Sequence, residues 1–238
     1  MDSAKAKLLL SFATVNLALV IVVGSVWLNK PAAPPLIQGV LLPEARELDT
    51  FALVDHRNQT FSNRNLLGRW HLVSYGFTTC PDVCPTTLVT LAALADKIEA
   101  ENREPLNVLF YTVDHRRDTA EQIASYLPFF HREFLGLTHV DDSNNPHLPF
   151  EQGLGIHARL TPSPGITTDA NDYQVSHGVT LLLINPMGQL QAVFKPGEDE
   201  QGNQVFDPQQ LYTDYLLVRD YVNQPQIAAL STAFSSAP

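Results

Sequence analysis

The stretch WHLVSYGFTTCPDVCP, residues 70–85, decides how this chain is read. Its first eight residues, Trp70 to Phe77, are apolar enough for a strand buried on both faces. They run straight into a turn that carries both cysteines of the chain, Cys80 and Cys84. Pro85 has no N–H to give a helical ladder, so it belongs in a first turn. A helix therefore starts within 80–85, and from Pro85 to Glu101 it shows Leu88, Leu91, Leu94 and Ile98 on one apolar stripe. Both sulfurs then sit at a helix N-terminus, where unsatisfied N–H groups and the dipole are expected to favour thiolate over thiol.

Elements on either side extend this unit. Asn107–Val113 reads as a second strand and Thr119–Phe130 as a second helix, entered through Asp118 as cap and Glu121 as its capping-box partner. Gly136–Val140 suits a short strand, 143–160 has room for a helix, and 161–174 reads as an irregular polar insertion. Val179–Ile184 and Gln189–Phe194 flank Asn-Pro-Met-Gly as a hairpin, and Asp207–Tyr221 closes as a helix with Pro208 in its first turn. Upstream, Phe51–Val54 and Thr60–Phe61 form a small hairpin around HRNQ. Strand, helix, strand, helix, hairpin, helix is the order of an α/β thioredoxin-like domain. A thiol pair where the first of these strands meets its helix fits that layout.

Leu8 to Leu28 is a run of 21 residues without a charge, spanning about 31 Å as a helix, the thickness of a bilayer's hydrocarbon. A cleaved signal peptide would have a shorter apolar region and a small-x-small site, whereas this one ends in Val26-Trp27-Leu28. Lys5 and Lys7 precede the run and Trp27 marks an interface, which places residues 1–7 in the cytoplasm and the rest across the membrane. Without an Arg- and Ser-rich transit segment before it, the expected location is a bacterial inner membrane with the domain in the periplasm. The expected organisation is a cytoplasmic segment 1–7, a single transmembrane helix 8–28, a Pro-rich spacer 29–48, the thioredoxin-like domain 49–223 and a loose tail 224–238.

Composition is that of a globular protein, 45% hydrophobic and 17% charged, in a chain of 238 residues. A net charge of −10, with no basic run longer than Arg116-Arg117, speaks against a nucleic-acid partner. Two cysteines cannot form a disulfide scaffold, and a bridge closing so short a loop contributes little entropy. A redox or metal pair is the better reading. Two soft sulfurs favour Cu(I), with Zn(II) as the other option, over Mg or Ca. Of the eight histidines, His177 is the best placed third ligand, at the start of the strand that follows the polar insertion. On these features alone it also reads as an ordinary structural histidine. His56, His71, His115, His131, His139, His147 and His157 read as surface or satisfied residues.

Three segments in order, GFTTCPDVCPTTL, YTVDHRRDTAEQIASYLPFFHREFLGLT and SHGVTLLLINPMGQL, resemble the Sco/SenC family of copper proteins involved in cytochrome c oxidase assembly. The resemblance runs from about 49 to 222. It implies a thioredoxin-like fold behind one membrane helix and copper held by Cys80, Cys84 and His177. It further implies a metallochaperone that delivers copper to, or prepares, the CuA site of cytochrome c oxidase subunit II or another copper protein. The alternative is a thiol–disulfide oxidoreductase in which Cys80 attacks a partner disulfide and Cys84 resolves it. Asp114 and Asp118 match the family's VDxxRDT segment, with turn support and helix capping as their expected work. Departures from the pattern lie at Ser176, Leu182 and Asn185, beside the ligand positions and not at them.

Overall fold

Seven consecutive buried residues, Trp70 to Gly76, form the middle of an eight-stranded sheet in the computed structural model, which describes residues 3–28, 33–140, 143–163 and 172–224. In chain order the elements are α1 (Ser3–Leu28), β1 (Gly39–Arg46), β2 (Ala52–Asp55), β3 (Thr60–Ser62), β4 (Trp70–Gly76), α2 (Val83–Ala100) and β5 (Leu106–Thr112). There follow α3 (Ala120–Tyr126), β6 (Leu135–Thr138), α4 (Leu148–Leu154), β7 (Ala158–Pro162), β8 (Tyr173–His177), β9 (Leu181–Ile184), β10 (Leu190–Phe194), β11 (Gly197–Glu198), β12 (Gln204–Val205) and α5 (Pro208–Val222). The sheet order is β1-β10-β9-β4-β5-β6-β2-β3. Only β4, β5 and β6 run parallel; every other pairing is antiparallel. Three parallel strands put their C-terminal ends along one edge, and the cysteine turn leaves from the first of them.

Residues 35–218 form the unit that carries the sheet. Its core is built as the periodicity predicts: Leu88, Leu91, Leu94 and Ile98 of α2 are all buried. Trp70 meets Tyr215 of α5 edge-on, with ring centroids 6.3 Å apart. Phe51, Phe61, Tyr111 and Phe150 join the apolar cluster around β2, β3, β5 and α4.

Several expectations change. Residues 39–46, read as part of the 29–48 spacer, form β1 against β10. Pro43 hid this strand, yet proline is tolerated on a sheet edge, and here the register breaks between Leu41 and Arg46. Gly39 makes the pairing possible, since a Cβ there would lie 2.1 Å from the Val193 carbonyl oxygen. The cap of α3 is Thr119, whose hydroxyl accepts from the Gln122 N–H, and not Asp118. The described ends of the insertion expected at 161–174 belong to a hairpin, β7 with β8, residues 164–171 lie outside the described residues, and His177 ends β8 where it was expected to begin the next strand.

Helix α1 lies in a unit separate from the one that carries the sheet. Its side chains are described from 11 to 24, and among the described residues no helix is long and apolar enough to cross a membrane. Residues 29–32 of the expected spacer and all but Gln224 of the expected tail lie outside the described residues.

Candidate metal centre

Strand β4 ends at Gly76, and the chain turns through Phe77–Asp82 into α2. The Cys80 N–H donates to the Phe77 carbonyl at 3.2 Å, which tightens the turn. Thr78 is pinned from below: its N–H and hydroxyl both donate to the Asp118 carboxylate, at 2.8 and 2.6 Å. The Thr112 hydroxyl at the end of β5 donates to the same carboxylate at 2.7 Å. Asp118 is fully buried. Burial raises its carboxyl above the usual range, and the hydrogen bonds from Thr112 and Thr78 pull the other way. Asp118 is therefore the anchor of the cysteine turn.

Both cysteines are free thiols, Cys80 half-buried and Cys84 buried as the second residue of α2. The Cys84 sulfur lies over Gly76 so closely that a Cβ on that glycine would approach it to 2.5 Å. The helix N-terminus does not lower this thiol as the sequence suggests. Burial, first among the causes, pushes Cys84 up from 9.0 to about 12, with the Phe77 backbone opposing and the neighbouring Cys80 thiol adding to the rise. Burial of the thiolate outweighs the ~0.3–1 kcal/mol that a helix terminus offers. Without a cation beside it, Cys84 stays protonated at neutral pH.

His177 reaches this thiol from β8. Its Nε2 stands 3.9 Å from Cys84 Sγ, and its Nδ1 is 2.8 Å from the Gly178 carbonyl oxygen. A carbonyl only accepts, so Nδ1 carries the proton and Nε2 turns its lone pair toward the sulfur. Burial lowers the His177 pKa, partly offset by the Gly178 carbonyl, which keeps the imidazole in its neutral, ligating form. Tyr75 and Phe77 flank the ring, with centroids at 5.6 and 5.8 Å. The separation suits a bridging ion: with bonds of the lengths seen at zinc, a sulfur and a nitrogen on one metal stand roughly 3.5–3.7 Å apart. A few tenths of an ångström close the gap.

Asp114 works at a distance from the thiols. It is buried, takes the Arg117 Nε at 2.5 Å, and accepts from the Tyr173 hydroxyl at the start of β8. Arg117 stacks over the Tyr173 ring at 4.2 Å and donates to the Tyr173 carbonyl at 3.3 Å. Asp114 and Arg117 thus latch the strand that carries His177. The carboxylates of Asp114 and Asp118 are both engaged by these partners.

The structure brings Cys84 and His177 together, and Cys80 stands near enough for its thiol to push that of Cys84 up. It also reveals residues that sequence reasoning passed over. Gly76 makes room for the sulfur, and Tyr75 and Phe77 hold the imidazole. Tyr126 points a buried hydroxyl with no hydrogen-bond partner among the described residues into the neighbourhood of both thiols. No spacing rule finds Tyr126; Gly76 was the one legible hint, a glycine inside a buried strand.

A thioredoxin-like sheet whose Cys-x3-Cys turn faces a strand-borne imidazole defines a class of thiol and metal-handling proteins. Within that class the SCO1/SenC pattern matches residues 41–205, and the chain belongs to the SCO1/SenC family. A Stutzerimonas stutzeri protein named for copper binding is 37% identical over 175 residues, covering 73% of this chain and 81% of that protein. The human mitochondrial SCO1 homolog is 34% identical over 140 residues, 58% of this chain and 44% of its own length. This chain therefore spans less than half of the human relative. Among solved structures, yeast Sco1 with copper bound superposes with a TM-score of 0.61 at 26% identity, covering 81% of this chain and 99% of that one. Arabidopsis thaliana ScoI with copper bound gives 0.59 at 26% identity, covering 73% and 99%.

Proposed function

We infer that the chain is a membrane-anchored copper chaperone that holds one copper ion between Cys80, Cys84 and His177 and passes it to a copper protein. One observation carries the reading: Nε2 of His177, its lone pair exposed by the Nδ1 bond to Gly178, faces the Cys84 sulfur at 3.9 Å. Two sulfurs and one nitrogen match a soft cation, and the copper named in the relatives' descriptions agrees with that chemistry. Copper is cargo here. Cys84 is the buried donor of the site, whereas Cys80 and His177 are half-buried and are the donors an acceptor's ligand can reach first. The CuA site of cytochrome c oxidase subunit II is the acceptor that the family resemblance favours. Exchange of dithiol for disulfide, the other reading, uses neither the imidazole nor its fixed tautomer.

Helix α1 supplies the anchor in this proposal. Its described apolar side chains, Phe12, Val15, Leu19 and Ile21 among them, are all exposed, and apolar residues on every face call for an apolar solvent. The charge-free run continues beyond them over 8–28, and Lys5 and Lys7 set the domain on the non-cytoplasmic side, in the periplasm of a bacterial inner membrane.

Copper titration of the reduced, detergent-solubilised chain against a chromophoric chelator tests the ligand set. The expected result is one copper per chain, with affinity lowered about 100-fold or more by His177→Ala, the upper end of what neighbouring-shell changes do. Unchanged affinity in that variant would refute the assignment.

A further inference from the structure

The same edge of the sheet carries a second constellation, built without sulfur. His139 follows β6, while His147 and Glu151 lie one turn apart at the start of α4, a spacing that puts both on one helix face. One ligand atom from each of the three falls within 4.8 Å of the others. His139 and His147 are buried, at 7% and 8% exposure, and Glu151 is half-buried. Their rings stack at 3.6 Å and 7°, and the His115 ring lies 4.0 Å from His139 on the β5 side.

The surroundings orient these groups. Tyr111, on β5, donates its hydroxyl to Glu151 Oε1 at 2.6 Å and meets His139 Nδ1 at 3.2 Å. A buried tyrosine that ties a carboxylate to an imidazole is the kind of support that metal ligands receive. His139 also lines an open cleft with Leu53, Val54, Thr60 and Pro146, which gives an ion a path from solvent.

We propose that His139, His147 and Glu151 form a second metal site, for a divalent cation of the zinc(II) or copper(II) kind. Two imidazoles and a carboxylate suit such borderline ions; Cu(I) prefers sulfur, and Mg or Ca prefers oxygen alone. Ligand atoms on one tetrahedral ion lie about 3.3 Å apart, so the three groups draw together on binding, and one ring turns out of the stack to aim its lone pair. The cysteine turn leaves β4 and His139 follows β6, with only β5 between, so about 10 Å of sheet separates the strands that feed the two sites. The proposal does not depend on the copper reading.

The test uses the full chain in detergent with Cys80→Ser, Cys84→Ser and His177→Ala together, which removes the thiol site. Zinc(II) is titrated by chelator competition, and each chain's thermal unfolding is followed with and without zinc. This chain is expected to take up one zinc and gain thermal stability from it. Adding His147→Ala should weaken binding about 100-fold, and the isosteric Glu151→Gln or Tyr111→Phe about tenfold. Failure of the triply substituted chain to bind zinc overturns the site. So does zinc uptake that Glu151→Gln leaves unchanged, a variant whose shape preserves the fold even where His147→Ala does not.

Discussion

Gly76 and Cys84 make the tightest mutual fit in the site: a methyl on the glycine would come within 2.5 Å of the sulfur. A sulfur on a single rotatable bond can swing away, so Gly76→Ala should spare the fold and move the ligand. Copper affinity is expected to fall about tenfold with little change in the thermal midpoint, which titration and melting of one preparation together check. His71, buried on β4, sets a different dependence. Burial, partly offset by the Leu66 carbonyl, drives its imidazole from 6.5 down to about 4. The folded chain keeps it neutral where the unfolded chain takes up a proton, so its contribution is whole above pH 6.5 and lost as pH falls toward 4. Between pH 7 and pH 5 this removes about 2 kcal/mol of stability. His71→Leu should lose that much less over the interval in denaturant titrations at the two pH values; equal losses would count against the assignment.

The β7–β8 hairpin depends on one corner. Asp114 and Arg117 grip Tyr173, four residues before His177 on the same strand, so Tyr173→Phe removes a hydrogen bond and leaves the stacking on Arg117. The expected outcome is copper bound about tenfold more weakly, with faster release in a stopped-flow chase and an unchanged sheet. Other elements differ in how openly the sequence announces them. The α2 stripe and the all-apolar β4 follow from periodicity and burial, which are local properties. β1 does not, because its pairing rests on a long-range partner and tolerates a proline only at an edge. Asp118 mimicked a cap because Asp followed three positions later by Glu is a capping pattern; Thr119 caps equally well, and the carboxylate was drawn to Thr78 and Thr112. For Cys84 the pull of the helix terminus toward thiolate is outweighed by burial, which no local pattern announces.

At the scale of the molecule, the sheet order gives the site its meaning. Cys84 and His177 are 93 residues apart and meet because β9, which follows His177 after three residues, pairs antiparallel with β4, which leads into the cysteine turn. Sequence spacing could nominate these residues but could not bring them together; only the pairing of β4 with β9 does that. The second constellation went unread for the same reason, since His139 joins His147 and Glu151 through the packing of α4 against Tyr111 of β5. Copper K-edge absorption of the Cu(I)-loaded full chain measures the convergence directly. Two sulfur scatterers and one imidazole nitrogen are expected, with the imidazole signal lost in His177→Ala. A spectrum with fewer than two sulfurs, or an imidazole signal that survives that substitution, would contradict that ligand set.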